Sequence, residues 1–165
     1  MAQFSFDIVS DYDSAEIINA FDQTKREMQS RYDFKKTPAA IDWLNNDKTG
    51  LLITGNSEWQ VEAIVDIYRK KLAARNQSQK VLDTTKAATT TNLKTTKEVT
   101  FVRGLDQTKA KTIQKHIREQ FPKLKTQIQG DAVRVMSPKK DELQAVMQLL
   151  RSIDVDYPLQ FTNYR

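Results

Sequence analysis

The chain repeats itself. A stretch DKTGLLITGNSEWQVEAIVDI (47–67) returns in layout as QIQGDAVRVMSPKKDELQAVM (127–147). Shifted by 82 positions, Val61 falls on Leu143, Ala63 on Ala145, Ile64 on Val146, Val65 on Met147 and Arg69 on Arg151, while Leu51 and Ile53 land on Val133 and Val135. The same apolar face recurs at the same phase, so the repeat is physical as well as literal. A chain of 165 residues then has room for two small units of about 80 residues each.

The periodicities fill in those units. FSFDIV (4–9) alternates, with Phe4, Phe6 and Ile8 on one face and Ser5 and Asp7 on the other, as a half-buried strand does. Asp13 followed by Glu16 resembles a capping box, and Ile18, Phe21, Lys25 and Met28 then share one helical face. AAIDWL (39–44) and LLIT (51–54) flank the turn-rich NNDKTG and read as a hairpin. Asn56 or Ser57 caps a second helix striped by Val61, Ile64, Val65, Tyr68 and Leu72. The second half repeats the order. EVTFVR (98–103) is a strand, and Asp106 caps a helix with Ala110, Ile113 and Ile117 inside. KTQIQ (125–129), the Gly130-Asp131 turn and AVRVM (132–136) form a hairpin. Ser137 caps, and Pro138 occupies the first helical position. Leu143, Val146, Met147, Leu150 and Ile153 stripe the last helix, and LQFTN (159–163) closes as a strand. The expected fold class is α+β: two ferredoxin-like units, each an antiparallel sheet with two helices on one face. Residues 1–85 form the first unit, with VLDTT (81–85) as an edge strand, and 98–165 the second. The threonine-rich 86–97 reads as a linker.

Charge and composition narrow the chemistry. Net charge is +5 with a pI near 9.3, which favours anionic partners. The absence of cysteine removes disulfides, thiolate metal sites and a cysteine nucleophile together. MAQFSFDIVS lacks the basic region of a secretory signal, and no apolar run approaches membrane-spanning length, so a cytoplasmic protein without membrane contact is expected. Gly50, Gly55, Gly104 and Gly130 stand isolated and match no phosphate-cradling motif. His116 has no carboxylate or serine partner at helical spacing. Asp7, Asp11 and Asp13 suit a helix N-terminus better than a metal. Neither catalytic residues, nor a cofactor, nor a metal is expected.

Basic and amide side chains remain. Lys111, Lys115 and Arg118 share a helix face; Arg31, Lys35 and Lys36 cluster before the first hairpin. With Ile128, Val133 and Val135 facing the helices, Lys125, Gln127, Gln129 and Arg134 line the open side of the second sheet, beside Ser5 and Asp7. That side is polar and has no aromatic platform of the kind RNA-recognition sheets stack bases on; Tyr164 alone is placed to lie outside and stack.

FSFDIVS, QIQGDAVRVMSPKKDELQAVMQLLR and the terminal PLQFTNYR resemble the YajQ family of small bacterial nucleotide-binding proteins, and the resemblance runs end to end. It implies two ferredoxin-like (RNA-recognition-like) units whose N-terminal strands are exchanged, FSFDIV pairing in the second sheet and the strand near 98–103 in the first. It also implies binding of purine nucleotides (GTP or ATP), cyclic di-GMP or tRNA, without established catalytic residues. The candidate nucleotide-binding residues are Lys125, Gln127, Gln129 and Arg134, with Arg31, Lys35 and Lys36 as a second site and Arg165 assisting. The alternative is a protein–protein adaptor with only nonspecific affinity for nucleic acid.

Overall fold

Alternating segments become strands and striped segments become helices. The computed structural model describes residues 3–165. In chain order the elements are β1 (Phe4–Val9), α1 (Ser14–Ser30), β2 (Ala40–Trp43), β3 (Gly50–Gly55), α2 (Glu58–Ala74), β4 (Leu82–Asp83), β5 (Thr89–Thr91), β6 (Lys94–Phe101), α3 (Gln107–Gln120), β7 (Lys125–Gln129), β8 (Ala132–Ser137), α4 (Lys140–Ser152) and β9 (Gln160–Thr162). They form two antiparallel sheets, in the orders β2-β3-β6-β4 and β7-β8-β1-β9. The fold is α+β, in keeping with a duplicated ferredoxin-like arrangement.

The compact units are not the expected 1–85 and 98–165. One runs to Asp11 and resumes over Arg103–Arg165; the other is the continuous Tyr12–Val102. The reason is strand pairing. β1 lies between β8 and β9, and β6 lies between β3 and β4.

In the unit Tyr12–Val102, α1 and α2 bury one face against the sheet. Ile17, Ala20, Phe21, Thr24 and Met28 point inward from α1. The buried face is thus turned from the expected one: Ile18 is half-buried and Lys25 exposed, because Ile17 and Thr24 take the inner positions. Tyr68 is fully buried on α2, and its hydroxyl donates to the Ile17 carbonyl at 3.1 Å. Burial pushes that phenol well above the usual tyrosine range. Asp13 caps α1 by accepting from the Ala15 amide, whereas Glu16 turns to Arg75 instead of closing a capping box. Ser57 caps α2.

The supposed linker 86–97 is a hairpin. β5 pairs with β6 through Thr89↔Thr96, Thr90↔Thr95 and Thr91↔Lys94. β-branched threonines suit a pleated surface, and Thr95, 1 % exposed, shares a hydrogen bond with the Thr90 hydroxyl. Asn92 and Leu93 make the turn with φ of 50° and 66°. The strand expected at 98–103 therefore begins at Lys94.

In the other unit, Phe6, Ile8, Val133 and Val135 are fully buried beneath α3 and α4, which contribute Ile113, Ile117, Val146 and Met147. Asp106 caps α3 as expected. Ser137 does not cap α4. It ends β8, and its hydroxyl accepts from the Lys139 amide and donates to Glu142, so the helix begins two residues beyond Pro138. Gly130, at φ 60°, turns the β7–β8 hairpin in a conformation that favours glycine.

Candidate nucleotide interface

The register of the β7-β8-β1-β9 sheet arranges its open face as a grid. Side chains at paired positions share a face. One row reads Lys125, Met136, Ser5, since Lys125 pairs with Met136 and Met136 with Ser5. Arg165 extends that row on the far side. Its amide donates to the Ser5 carbonyl at 3.0 Å, and its carbonyl accepts from the Ser5 amide at 3.1 Å. Asn163, at φ 58°, is the extra residue that lets the chain regain register after β9. The next row reads Gln127, Arg134, Asp7, Thr162. Gln129 stands beside Ala132 in a third row, with its amide donating to the Gln127 side chain at 3.3 Å.

Four of the expected residues, Lys125, Gln127, Gln129 and Arg134, thus share one face, and Arg165 joins them. Lys125, Gln127, Gln129 and Arg165 are exposed. Arg134 is half-buried and engaged: its Nε donates to Asp7 Oδ1 at 2.9 Å and its Nη2 to Asp7 Oδ2 at 3.3 Å. Asn163 Nδ2 also donates to Asp7 at 3.0 Å. The Arg134 guanidinium, followed by the Asn163 amide, holds the Asp7 carboxyl below the usual carboxylate range, although burial opposes this. A guanidinium has five N–H donors. Two of them serve Asp7, which leaves Nη1 without a partner among the described residues and fixed in direction.

Asp7, Asp11 and Asp13 do not act together as expected. Asp7 stands on the sheet face, Asp11 pairs with Arg103, and only Asp13 serves a helix N-terminus. Among the described residues, no three His, Asp or Glu side chains are grouped to hold a metal. His116 is a half-buried helix residue.

The second expected cluster is dispersed. Arg31 ends α1 and is bound bidentately by Asp33 at 3.0 and 2.8 Å, with Glu27 at 3.6 Å and the Phe34 ring beneath it. Lys35 lines a cleft of about 390 Å³ together with Lys25, over a floor of Met28, Phe34 and Ile41. Lys36 is exposed, in a left-handed turn, and does not line that cleft. Sequence reasoning overlooked the Asp7 clamp on Arg134. The alternation of FSFDIV already placed Asp7 on the outer face, but only the β1–β8 pairing brings it to the arginine.

Residues 4–165 match the family described as "Nucleotide-binding protein YajQ-like". The chain belongs to the YajQ-like family. Among its relatives is a protein named "Nucleotide-binding protein" from Trichormus variabilis, 44 % identical over 162 residues, which cover 98 % of each chain. A nucleotide-binding protein of Synechococcus elongatus is 43 % identical over 161 residues, 98 % of this chain and 97 % of that one. A third, from Thermobifida fusca, is 42 % identical over 165 residues, 99 % of each. Among the described residues, no helix is long and apolar enough to cross a membrane.

Proposed function

We propose that this YajQ-like protein is a non-catalytic nucleotide binder, and that its ligand lies on the open face of the β7-β8-β1-β9 sheet. One observation carries the reading. Arg134 is held in plane by Asp7, with Nη1 left to donate, and Gln127 stands directly beside it. A guanidinium fixed in advance loses little side-chain freedom when it meets a phosphate or a base edge. Lys125 and Arg165 stand at opposite ends of the neighbouring row. Three strand spacings separate them, about 14 Å, and both side chains are exposed. Such a face offers charge to phosphates and amides to base edges. The names of the relatives support the nucleotide class. The ligand is a purine nucleotide, a cyclic dinucleotide or a segment of RNA such as tRNA, and the protein works in the cytoplasm. No side chain on this face is arranged as a base or nucleophile.

Calorimetric titration with GTP, ATP, cyclic di-GMP and tRNA, each at two salt concentrations, tests the reading. One small nucleotide should bind at micromolar strength and weaken at least about tenfold in the double variant Lys125→Ala, Gln127→Ala. Neither residue is buried, so the variant should fold. No heat from any nucleotide, with tRNA binding that vanishes at moderate salt, would sink the proposal, because only backbone charge attraction behaves so. The adaptor alternative has its own observation: Tyr32, Trp59 and Leu93 are large apolar side chains left 88 %, 72 % and 90 % exposed. Binding of a protein partner that persists in salt would favour it.

A further inference from the structure

A cleft of about 280 Å³ opens at the end of this sheet, between the start of β1, the start of α4 and the segment after β9. It is lined by Phe4, Lys140, Gln144, Tyr164 and Arg165, with Leu143 behind them. Tyr164 follows the Asn163 bulge, and its side chain lies on the helix side of the sheet. Its ring stacks on Phe6, centroids 6.1 Å apart and planes inclined by 26°, and its hydroxyl donates to the Met147 sulfur at 3.0 Å. Phe6 and Met147 are themselves buried. The Tyr164 ring is therefore fixed from behind, while the residue remains 57 % exposed. Lys140 Nζ sits 5.0 Å from the centre of the Phe4 ring. Arg165 belongs both to this cleft and to the row that ends at Lys125.

Those features differ from the open face in one respect. The face supplies hydrogen bonds and charge; the cleft adds a rigid, exposed ring. Every base presents a flat apolar face, and stacking on an aromatic side chain does not depend on which base it is. A carboxamide such as that of Gln144 pairs with a base edge. Lys140 and Arg165 form no close ion pair with a carboxylate among the described residues, although Arg165 Nε donates to Asn163 Oδ1 at 3.4 Å and its charge acts on Asp7. No carboxylate side chain lines the cleft. The occupant is thus flat on one side and anionic on the other.

We infer that this cleft seats the nucleobase of a nucleoside phosphate, stacked on Tyr164, with its phosphate on Arg165 at the border of the sheet face. The inference rests on the nucleotide reading above and deepens it, because it divides recognition between two places. The base is held in the cleft, and the phosphates run from Arg165 onto the row toward Lys125. The site is small, below the volume of most drug-sized pockets, which suits one base and leaves the sugar and phosphates outside.

The test uses the full chain and GMP, AMP, CMP and ribose 5-phosphate as probes, with binding followed by calorimetry and by chemical-shift changes. The variants are Tyr164→Ala, Tyr164→Phe and Gln144→Ala, with Lys125→Ala as the face control; thermal unfolding checks that each folds. A nucleotide monophosphate should bind better than ribose 5-phosphate. Tyr164→Ala should weaken it about tenfold or more and leave ribose 5-phosphate unchanged, whereas Tyr164→Phe, which keeps the ring, should stay within about twofold. If Tyr164→Ala loses the Phe6 stack and unfolds, the Tyr164→Phe and Gln144→Ala pair together with shifts at Phe4 and Gln144 carries the decision. Equal binding of ribose 5-phosphate and nucleotide overturns the base cleft. So does nucleotide affinity that falls in Lys125→Ala but not in Tyr164→Ala, and in that case the face reading stands. Loss in Tyr164→Ala with none in Lys125→Ala upholds the cleft, since the single phosphate of these probes rests on Arg165 and does not extend to Lys125. Absence of binding by every probe overturns both.

Discussion

Asp7 sets the terms on which Arg134 meets a ligand. Were Asp7 absent, the guanidinium would be a mobile cation; with it, the group is oriented and partly neutralised. The same contact makes the protein sensitive to acid. The carboxyl of Asp7 is held below its ordinary value, so its ionised form favours the folded state. That contribution is fully present above the ordinary aspartate range near pH 4 and is lost as pH falls through the depressed value. Asp7→Asn cannot titrate. Chemical denaturation from pH 7 to pH 2 should show wild type more stable than Asp7→Asn by a constant margin down to about pH 5. The margin should shrink below about pH 4, and one that grows on acidification would contradict the sign. Sequence alternation placed Asp7, Lys125, Gln127 and Arg134 on outer faces correctly. It could not show that Arg134 would be engaged, since an ion pair between residues 127 positions apart depends on register and not on local pattern. Arg31 makes the converse point: it looked like a free cation beside Lys35 and Lys36, yet Asp33, two residues on, takes it.

At the scale of elements, the β5–β6 hairpin shows what composition hides. A threonine run looks like a linker because no stripe or clean alternation marks it, yet Thr90 and Thr95 meet across the hairpin and Thr95 is buried. The turn is the weak point. Leu93 adopts φ 66° while almost wholly exposed, so it bears the left-handed penalty without burying its side chain. Leu93→Gly converts Asn92-Leu93 into the favoured Asn-Gly pair and should raise stability by about 1 kcal/mol in urea denaturation. No gain, or a loss, would mean that Leu93 is held by contacts it does not make here. The helices were more legible than this hairpin, because their stripes have a strong period. The face of α1 was still misread by one position, for Thr24 is buried with its hydroxyl donating to the Ala20 carbonyl, and a polar residue gives no apolar signal.

On the scale of the whole chain, periodicity identifies β1 and β6 as strands but carries no information on which sheet each joins, since a strand alternates alike in either. The pairing makes Tyr12–Val102 a continuous unit with its own core. A fragment of residues 12–102 should therefore fold alone, with dispersed amide resonances and a cooperative melt. A fragment of 103–165 should not, because β1 is missing from between β8 and β9 and leaves Val133 and Val135 without Phe6 and Ile8. A folded 103–165 fragment, or an unfolded 12–102, would refute this. The placement of β1 also has a history in time. A ribosome makes FSFDIV long before the residues that flank it in the sheet, 132–137 and 160–162. At cellular synthesis rates that interval is on the order of ten seconds. During it, an apolar strand of the nascent chain waits for its neighbours while everything between Tyr12 and Val102 has time to close.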